Sequence, residues 1–212
     1  MKKILVLLIS ALFISCSMLP PQNADSNGVH AWIQKKLDKV NVTGFSYAFV
    51  NKDGITSSDV FGSAHLSDNK PLREDSIFQV ASVSKLITGT AVMILVEEGK
   101  ISLETDVRTI LPFSIDNPSF PSSPVTVRHM LRHLSGIRDD YDVMDAYYTF
   151  RSGSGGDSDY DLTQYCSDYL SKGGVLYNAD KNFTGKESGT DYEYSNTAFG
   201  VLGVVVETVS GQ

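Results

Sequence analysis

The chain has 212 residues, 42% hydrophobic and 20% charged, with ten Tyr, ten Phe and one Trp. That is a globular composition, not a disordered, collagen-like or low-complexity one, and the length allows one domain or one and part of another. Eighteen basic against 25 acidic residues give a net charge of −7 with no basic run, which removes the electrostatic footprint of nucleic-acid binding, and two cysteines cannot make a disulfide scaffold.

The chain opens with the grammar of an exported protein. Lys2 and Lys3 form a short positive region, and residues 4–14 form an apolar run of eleven positions broken only by Ser10. Eleven residues are too few for a permanent bilayer span, which needs about 20, but they suit a secretory signal peptide over residues 1–15. Phe13-Ile14-Ser15-Cys16 resembles the lipobox of bacterial lipoproteins, where a small residue precedes a lipidated Cys; Phe13 stands where Leu is most usual. The resemblance implies lipidation at Cys16, a polar tether over 16–28, and a membrane-anchored position in the cell envelope, at an outer membrane or cell surface. Ordinary cleavage nearby, with Cys16 incidental, is the plainer alternative. Cys166 is then a lone thiol without the surroundings of a thiol enzyme, and it is read as a core or surface Cys.

The body begins at residue 29. Val29, Trp32, Ile33, Leu37 and Val40 recur at helical spacing, with Asn27 as a possible N-cap. Residues 44–50 are aromatic and β-branched, Asn51-Lys52-Asp53-Gly54 is a turn, and Ile55 to Phe61 returns, which predicts a hairpin. Residues 63–75 are polar, with a turn at Asp68-Asn69-Lys70-Pro71. Residues 84–98 are apolar on almost every side, the pattern of a buried helix, and Gly99 is placed to cap its C-terminus. Thr126 is placed to cap a helix over 127–134. Residues 138–185, rich in Asp, Tyr, Gly and Ser, read as a surface excursion with short helices near 140–150 and 161–171. Residues 197–209 form a second apolar helix in which Gly200 and Gly203 permit close packing.

Two S-x-x-K patterns occur. Ser67–Lys70 lies in a polar turn. Ser82–Lys85 follows the apolar run 77–81 and opens the first apolar helix. Positions i and i+3 share a helix face, so the Lys85 amine can reach the Ser82 hydroxyl. Helix N-termini are partially positive and burial penalises charge, conditions that favour a proton-accepting amine beside a serine nucleophile. The Ser82 backbone N–H is a candidate donor to a developing oxyanion. In isolation, a Ser N-cap followed by a snorkelling Lys is the favoured reading of the motif. Tyr194-Ser195-Asn196 stands at the mouth of the second apolar helix; its Tyr is a candidate proton carrier, and its Asn can orient Lys85 and bind a substrate amide. His129 and His133 are four apart, but Met130 takes the place of the Glu in H-E-x-x-H, so both are read as packing residues and no metal or cofactor is expected.

Residues 78–85 (FQVASVSK), 125–137 (VTVRHMLRHLSGI) and 188–212 (from SGTDYEYSN to the last residue) closely resemble the serine β-lactamase-like family, which includes class C β-lactamases, D-alanyl-D-alanine carboxypeptidases and related esterases. The likeness runs from about residue 29 to 212 and is weakest over 138–185. It implies an α+β β-lactamase/transpeptidase-like fold, a helical domain against an antiparallel sheet. Position by position it implies Ser82 as the acylated nucleophile, Lys85 as its general-base partner, Tyr194 as proton carrier for the leaving group, and Asn196 as the substrate-positioning amide. The chemistry implied is acyl transfer through a serine ester on a small-molecule or peptidoglycan-type substrate: a β-lactam, a D-Ala-D-Ala peptide or a carboxylic ester.

The family's third motif, a Lys- or His-containing triad ending in Gly on a later strand, has no match before Gln212. The resemblance therefore implies that the 212-residue form lacks the C-terminal strands and helix, leaves a sheet edge bare, and is impaired in catalysis, since one oxyanion donor alone is worth ~10²–10³ in rate. A non-catalytic envelope lipoprotein that binds peptidoglycan or a protein partner with a relic site is the rival reading. The Tyr-rich segment with Tyr141, Tyr147, Tyr148, Tyr160, Tyr165 and Tyr169 is compatible with such binding or with plain packing. Oligomeric state is not legible.

Overall fold

The computed structural model describes residues 26–65, 67–147, 158 and 160–212. The expected signal peptide, Cys16 and Tyr148 lie outside the described residues, as does the tether up to residue 25. The chain forms two compact units that meet in sequence at Gln79 and Val80. Helices and an antiparallel sheet are both present, as the α+β reading requires.

The first unit is one helix and a small sheet. Helix α1 (Ser26–Leu37) begins earlier and ends earlier than the periodicity suggested. Asn27 is therefore inside it, residues 26–28 of the expected tether are helical, and Val40 is 56% exposed beyond its end. Its inward stripe is Val29 and Ile33, which bury against Phe61, with Trp32, Leu37 and Tyr47 packed around them. Strands β1 (Gly44–Asn51) and β2 (Gly54–His65) form the expected hairpin, pairing Phe45 with Phe61 and Tyr47 with Asp59. The register shifts between Phe49 and Val50, a bulge near the turn. A third strand, β3 (Lys70–Pro71), pairs antiparallel with β2 and completes the order β1-β2-β3. The sequence reading placed Lys70 and Pro71 in the turn; the turn instead closes at Asn69, whose φ of +51° an Asn tolerates, and Pro71 sits at the sheet edge, where a missing N–H costs little.

The second unit is helical and holds the larger core. Helix α2 (Ser84–Glu97) follows a single 3₁₀ turn, Ala81–Val83. After a second 3₁₀ turn, Val107–Thr109, come α3 (Val127–Leu131), α4 (Tyr141–Tyr147), α5 (Leu162–Leu170), α6 (Ala179–Asn182) and α7 (Asn196–Ser210). Helix α7 is the centre of this unit: Ala198, Val201, Leu202, Val204 and Val205 are all essentially inaccessible, and the helix packs against α2, α3 and α5. Close approach to α5 depends on Gly203, where a Cβ would lie 3.1 Å from Leu162 Cδ2. The expectation that these glycines serve packing holds.

Two expectations fail here. Helix α2 is not buried all round: Val92 and Leu95 are buried, while Leu86 and Ile87 are 70% and 71% exposed and Met93 and Ile94 are also exposed. A helix apolar on every side carries no directional signal, so sequence could not say which stripe is covered. The 138–185 segment is not simply a surface excursion. Cys166, Tyr169 and Leu170, at i, i+3 and i+4 on α5, are fully buried, as are Asn182 and nearly so Phe183. A polar composition concealed a narrow apolar stripe. Cys166 lies in the core, one of the two placements expected for it, and burial pushes its thiol up to about 12.

Helix α3 does start at a Thr126 cap. The Thr126 hydroxyl accepts from the His129 N–H, and His129 bonds back in a capping box. The helix is shorter than expected because the chain turns at Arg132, and His133 takes a left-handed φ of +57°. Gly136 follows at φ +76°, where a Cβ would meet the Lys186 carbonyl at 3.0 Å. That turn sends Ile137 into an antiparallel bridge with Phe183.

Candidate active site

The four side chains singled out from sequence all belong to the second unit, and they converge. Ser82 sits in the 3₁₀ turn immediately before α2, and its Oγ is 2.6 Å from the Tyr194 phenol oxygen. One turn later, Lys85 Nζ donates to Ser82 Oγ at 3.3 Å and to Asn196 Oδ1 at 2.6 Å. The same amine lies 4.8 Å from the centre of the Tyr194 ring and 5.6 Å from that of Phe199. Residues 111 or 112 positions apart in sequence thus form one hydrogen-bonded cluster. Ser67 and Lys70, the competing pattern, lie in the first unit's turn and edge strand.

Local structure explains the placement. Ala81 holds φ at +45°, a left-handed conformation that costs an L-residue roughly 1–2 kcal/mol. This turn delivers Ser82 ahead of the regular helix, with Ser82 itself exposed and Lys85 half-buried. An exposed hydroxyl beside a partly sheltered amine is accessible to a substrate. On the other side, Ser195 caps α7 through its Oγ, which accepts from the Ala198 N–H at 3.0 Å. Tyr194 and Asn196 flank that cap, so the start of the helix sets where the backbone presents them.

Two further residues complete the arrangement, and sequence reasoning did not single out the first of them. Asp139 is 6% exposed and accepts four hydrogen bonds. Its Oδ1 receives Ser195 Oγ at 2.9 Å and the Thr197 N–H at 3.0 Å; its Oδ2 receives the Asn196 N–H at 2.6 Å and Asn196 Nδ2 at 3.0 Å. A carboxylate on free helix-start donors is electrostatically favourable. No signal short of contact information marks Asp139 over the many other Asp of this segment.

His133 is the second. Its ring centre is 4.4 Å from that of Tyr194 and 5.0 Å from that of Phe199, and its Nδ1 accepts from the Ser195 N–H at 3.2 Å. Burial, then the nearby Lys85 charge, hold this imidazole below the ordinary histidine range, with Asp139 opposing. The packing role expected for His133 is correct, but it packs on the phenol itself. His129 serves its capping box and sits against Gly189. Among the described residues, no group of three or more His, Cys, Asp or Glu is arranged to hold a metal.

Comparison with known proteins identifies the family. A family model described as Beta-lactamase matches residues 29–212. Penicillin-binding protein 4* of Bacillus subtilis (strain 168) is 30% identical over 71% of this chain and 29% of its own length. Esterase EstB of Burkholderia gladioli is 33% identical over 71% of this chain and 37% of its own length. Among solved structures, the octameric penicillin-binding protein homologue from Pyrococcus abyssi superposes with a TM-score of 0.63 at 25% identity, covering 89% of this chain and 40% of that one. A D-amino acid amidase from Ochrobactrum anthropi, at 23% identity and a TM-score of 0.62, shares the fold; the match covers 89% of this chain and 46% of that one. The chain spans less than half the length of these relatives. With the matched model running from the first helix to the last, the chain belongs to the Beta-lactamase family.

Proposed function

We propose that this protein is a serine hydrolase working through an acyl-enzyme on an amide, β-lactam or ester, with Ser82 as nucleophile. The observation that carries the reading is the 2.6 Å contact between Ser82 Oγ and the Tyr194 phenol, with Lys85 Nζ on the same hydroxyl. A serine is a weak nucleophile until a neighbour accepts its proton, and two proton-handling groups are in contact with this one.

In the proposed reaction Ser82 Oγ bonds to the substrate carbonyl carbon while its proton moves to the Lys85–Tyr194 pair. The Ser82 backbone N–H is proposed as one donor to the oxyanion. Collapse breaks the carbonyl bond to the leaving nitrogen or oxygen, which takes the proton from Tyr194. Water then cleaves the serine ester and restores the Ser82 proton. Asn196, already bonded to Lys85, is proposed to hold the substrate amide as well as the amine.

Relatives include penicillin-binding proteins and an esterase, which supports hydrolase-type chemistry and leaves the acyl group open. The exported, lipid-anchored form is also a proposal, supported by the run 4–14 and Cys16. Incorporation of a clickable fatty acid that is lost in Cys16→Ala tests it. For the reaction, the test is incubation with a reporter penicillin and with a fluorophosphonate, followed by peptide mass spectrometry. The expected result is an adduct on Ser82, absent from Ser82→Ala. No adduct from either reagent, or one that survives the substitution, overturns the proposal and favours a binding protein with a relic site.

A further inference from the structure

We propose that Asp139 is the positioning residue that fixes which end of the Asn196 amide faces Lys85, and thereby where the amine sits; this rests on the acyl-enzyme reading above. An Asn side chain presents a carbonyl and an NH₂ of nearly the same shape, so its neighbours alone decide its orientation. Lys85 can only donate to it. The Lys85 Nζ–Asn196 contact of 2.6 Å is favourable with Oδ1 forward and donor against donor with Nδ2 forward. On the far side, the Asp139 carboxylate can only accept, and it takes Asn196 Nδ2 at 3.0 Å. One acceptor behind and one donor in front leave a single satisfied orientation.

Asp139 is itself held on both sides. The Tyr169 hydroxyl donates to the Arg138 carbonyl at 2.9 Å and accepts the Asp140 N–H at 2.6 Å. The Arg138 N–H donates to the Asn182 carbonyl at 2.9 Å. Tyr169 and Asn182 are both fully buried. The carboxylate is therefore mounted on the core of the unit, and the chain of contacts runs from Tyr169 through the backbone around Asp139 to Asn196, Lys85 and Ser82. Asp139 never touches the reacting hydroxyl. Its effect passes through the orientation of one amide.

The test uses the full chain and two readouts. In the isotope-labelled wild type, one Asn196 Nδ2 proton is expected downfield of a free amide and slow to exchange, because it is bonded to a buried carboxylate. Free-amide shifts and exchange rates overturn the proposal whether or not the protein acylates. In Asp139→Asn, the Ser82 acylation rate by the fluorophosphonate is expected to fall ~10²-fold at unchanged reagent affinity, the scale of a misplaced catalytic group. A folded variant with wild-type rate also overturns it. If Asp139→Asn does not fold, the wild-type spectrum decides. Wild type with a protected Asn196 amide but no Ser82 adduct instead refutes the acyl-enzyme reading and leaves the amide orientation standing.

Discussion

At the scale of single residues, the Lys85–Asn196 and Asn196–Asp139 hydrogen bonds each have one sensible direction, while either hydroxyl can donate between Ser82 and Tyr194. Tyr194→Phe keeps the ring that packs on His133 and removes only the hydroxyl at Ser82. Its expected effect is a ~10²–10⁴-fold loss in the rate of Ser82 acylation with little change in thermal stability, checked by labelling kinetics beside a melting curve. His133 gives a pH dependence of known sign. Its folded pKa lies below the ordinary value of 6.5, so the unfolded chain binds the extra proton first. The stability it contributes is fully present above 6.5 and is lost as pH falls through the depressed folded value. Protonation also ends the acceptance of the Ser195 N–H by Nδ1. Urea midpoints measured from about pH 7.5 down to about 4.5 should fall more steeply for wild type than for His133→Asn. Parallel curves would show that His133 does not carry the effect.

Of the site, Ser82, Lys85, Tyr194 and Asn196 were legible because each sits in a short motif at the mouth of an apolar helix. Asp139 and His133 were not assigned their contacts, because both act through tertiary contacts with Ser195 and Asn196, 56 to 62 positions away. Local sequence holds no record of a partner that distant.

Secondary elements show the same division. Periodicity located α1, the hairpin, α2 and α7, since each has a clear repeat or an uninterrupted apolar run. It missed β3, which is two residues long, and it placed α5 near its true span but misjudged its burial, because its apolar stripe is interrupted by polar residues. Helix ends drifted by a few residues, as ends set by caps and frayed turns do. The burial contrast between α7 and α2 yields a paired prediction. Leu202→Ala in α7 removes a fully buried side chain and should cost about 2–5 kcal/mol, while Leu86→Ala on α2, 70% exposed, should stay within about 0.5 kcal/mol. Chemical denaturation of the two variants measures both. Equal losses would mean that α2 is covered where it is now exposed.

At the scale of the whole molecule, the two units differ in how much they bury. The first rests on Val29, Ile33 and Phe61, and it exposes Phe49, Val50 and Ile55. The second assembles nineteen buried residues around α7 among those described. Local opening free energy follows buried contacts, so hydrogen exchange should rank the units. Amides of Val201 to Val205 are expected to be the slowest, and those of Phe49 to Asn51 among the fastest of the strand residues. Comparable protection in both would contradict the ranking. The fold class was readable from the family resemblance carried by residues 78–85, 125–137 and 188–212, whereas the partition at Gln79 and Val80 was not, because no Gly- or Pro-rich linker marks it.

The central claim is that Ser82, Lys85 and Tyr194 act as one unit. Groups that act together are not additive: removing one forfeits most of what removing both would. The decisive measurement is the Ser82 acylation rate in Lys85→Met, in Tyr194→Phe and in the double variant. A cooperative cluster predicts that each single variant loses on the order of 10³-fold and that the double loses about the same. Losses that multiply in the double variant, or a single variant with wild-type rate, would show that the hydroxyl is activated by something else.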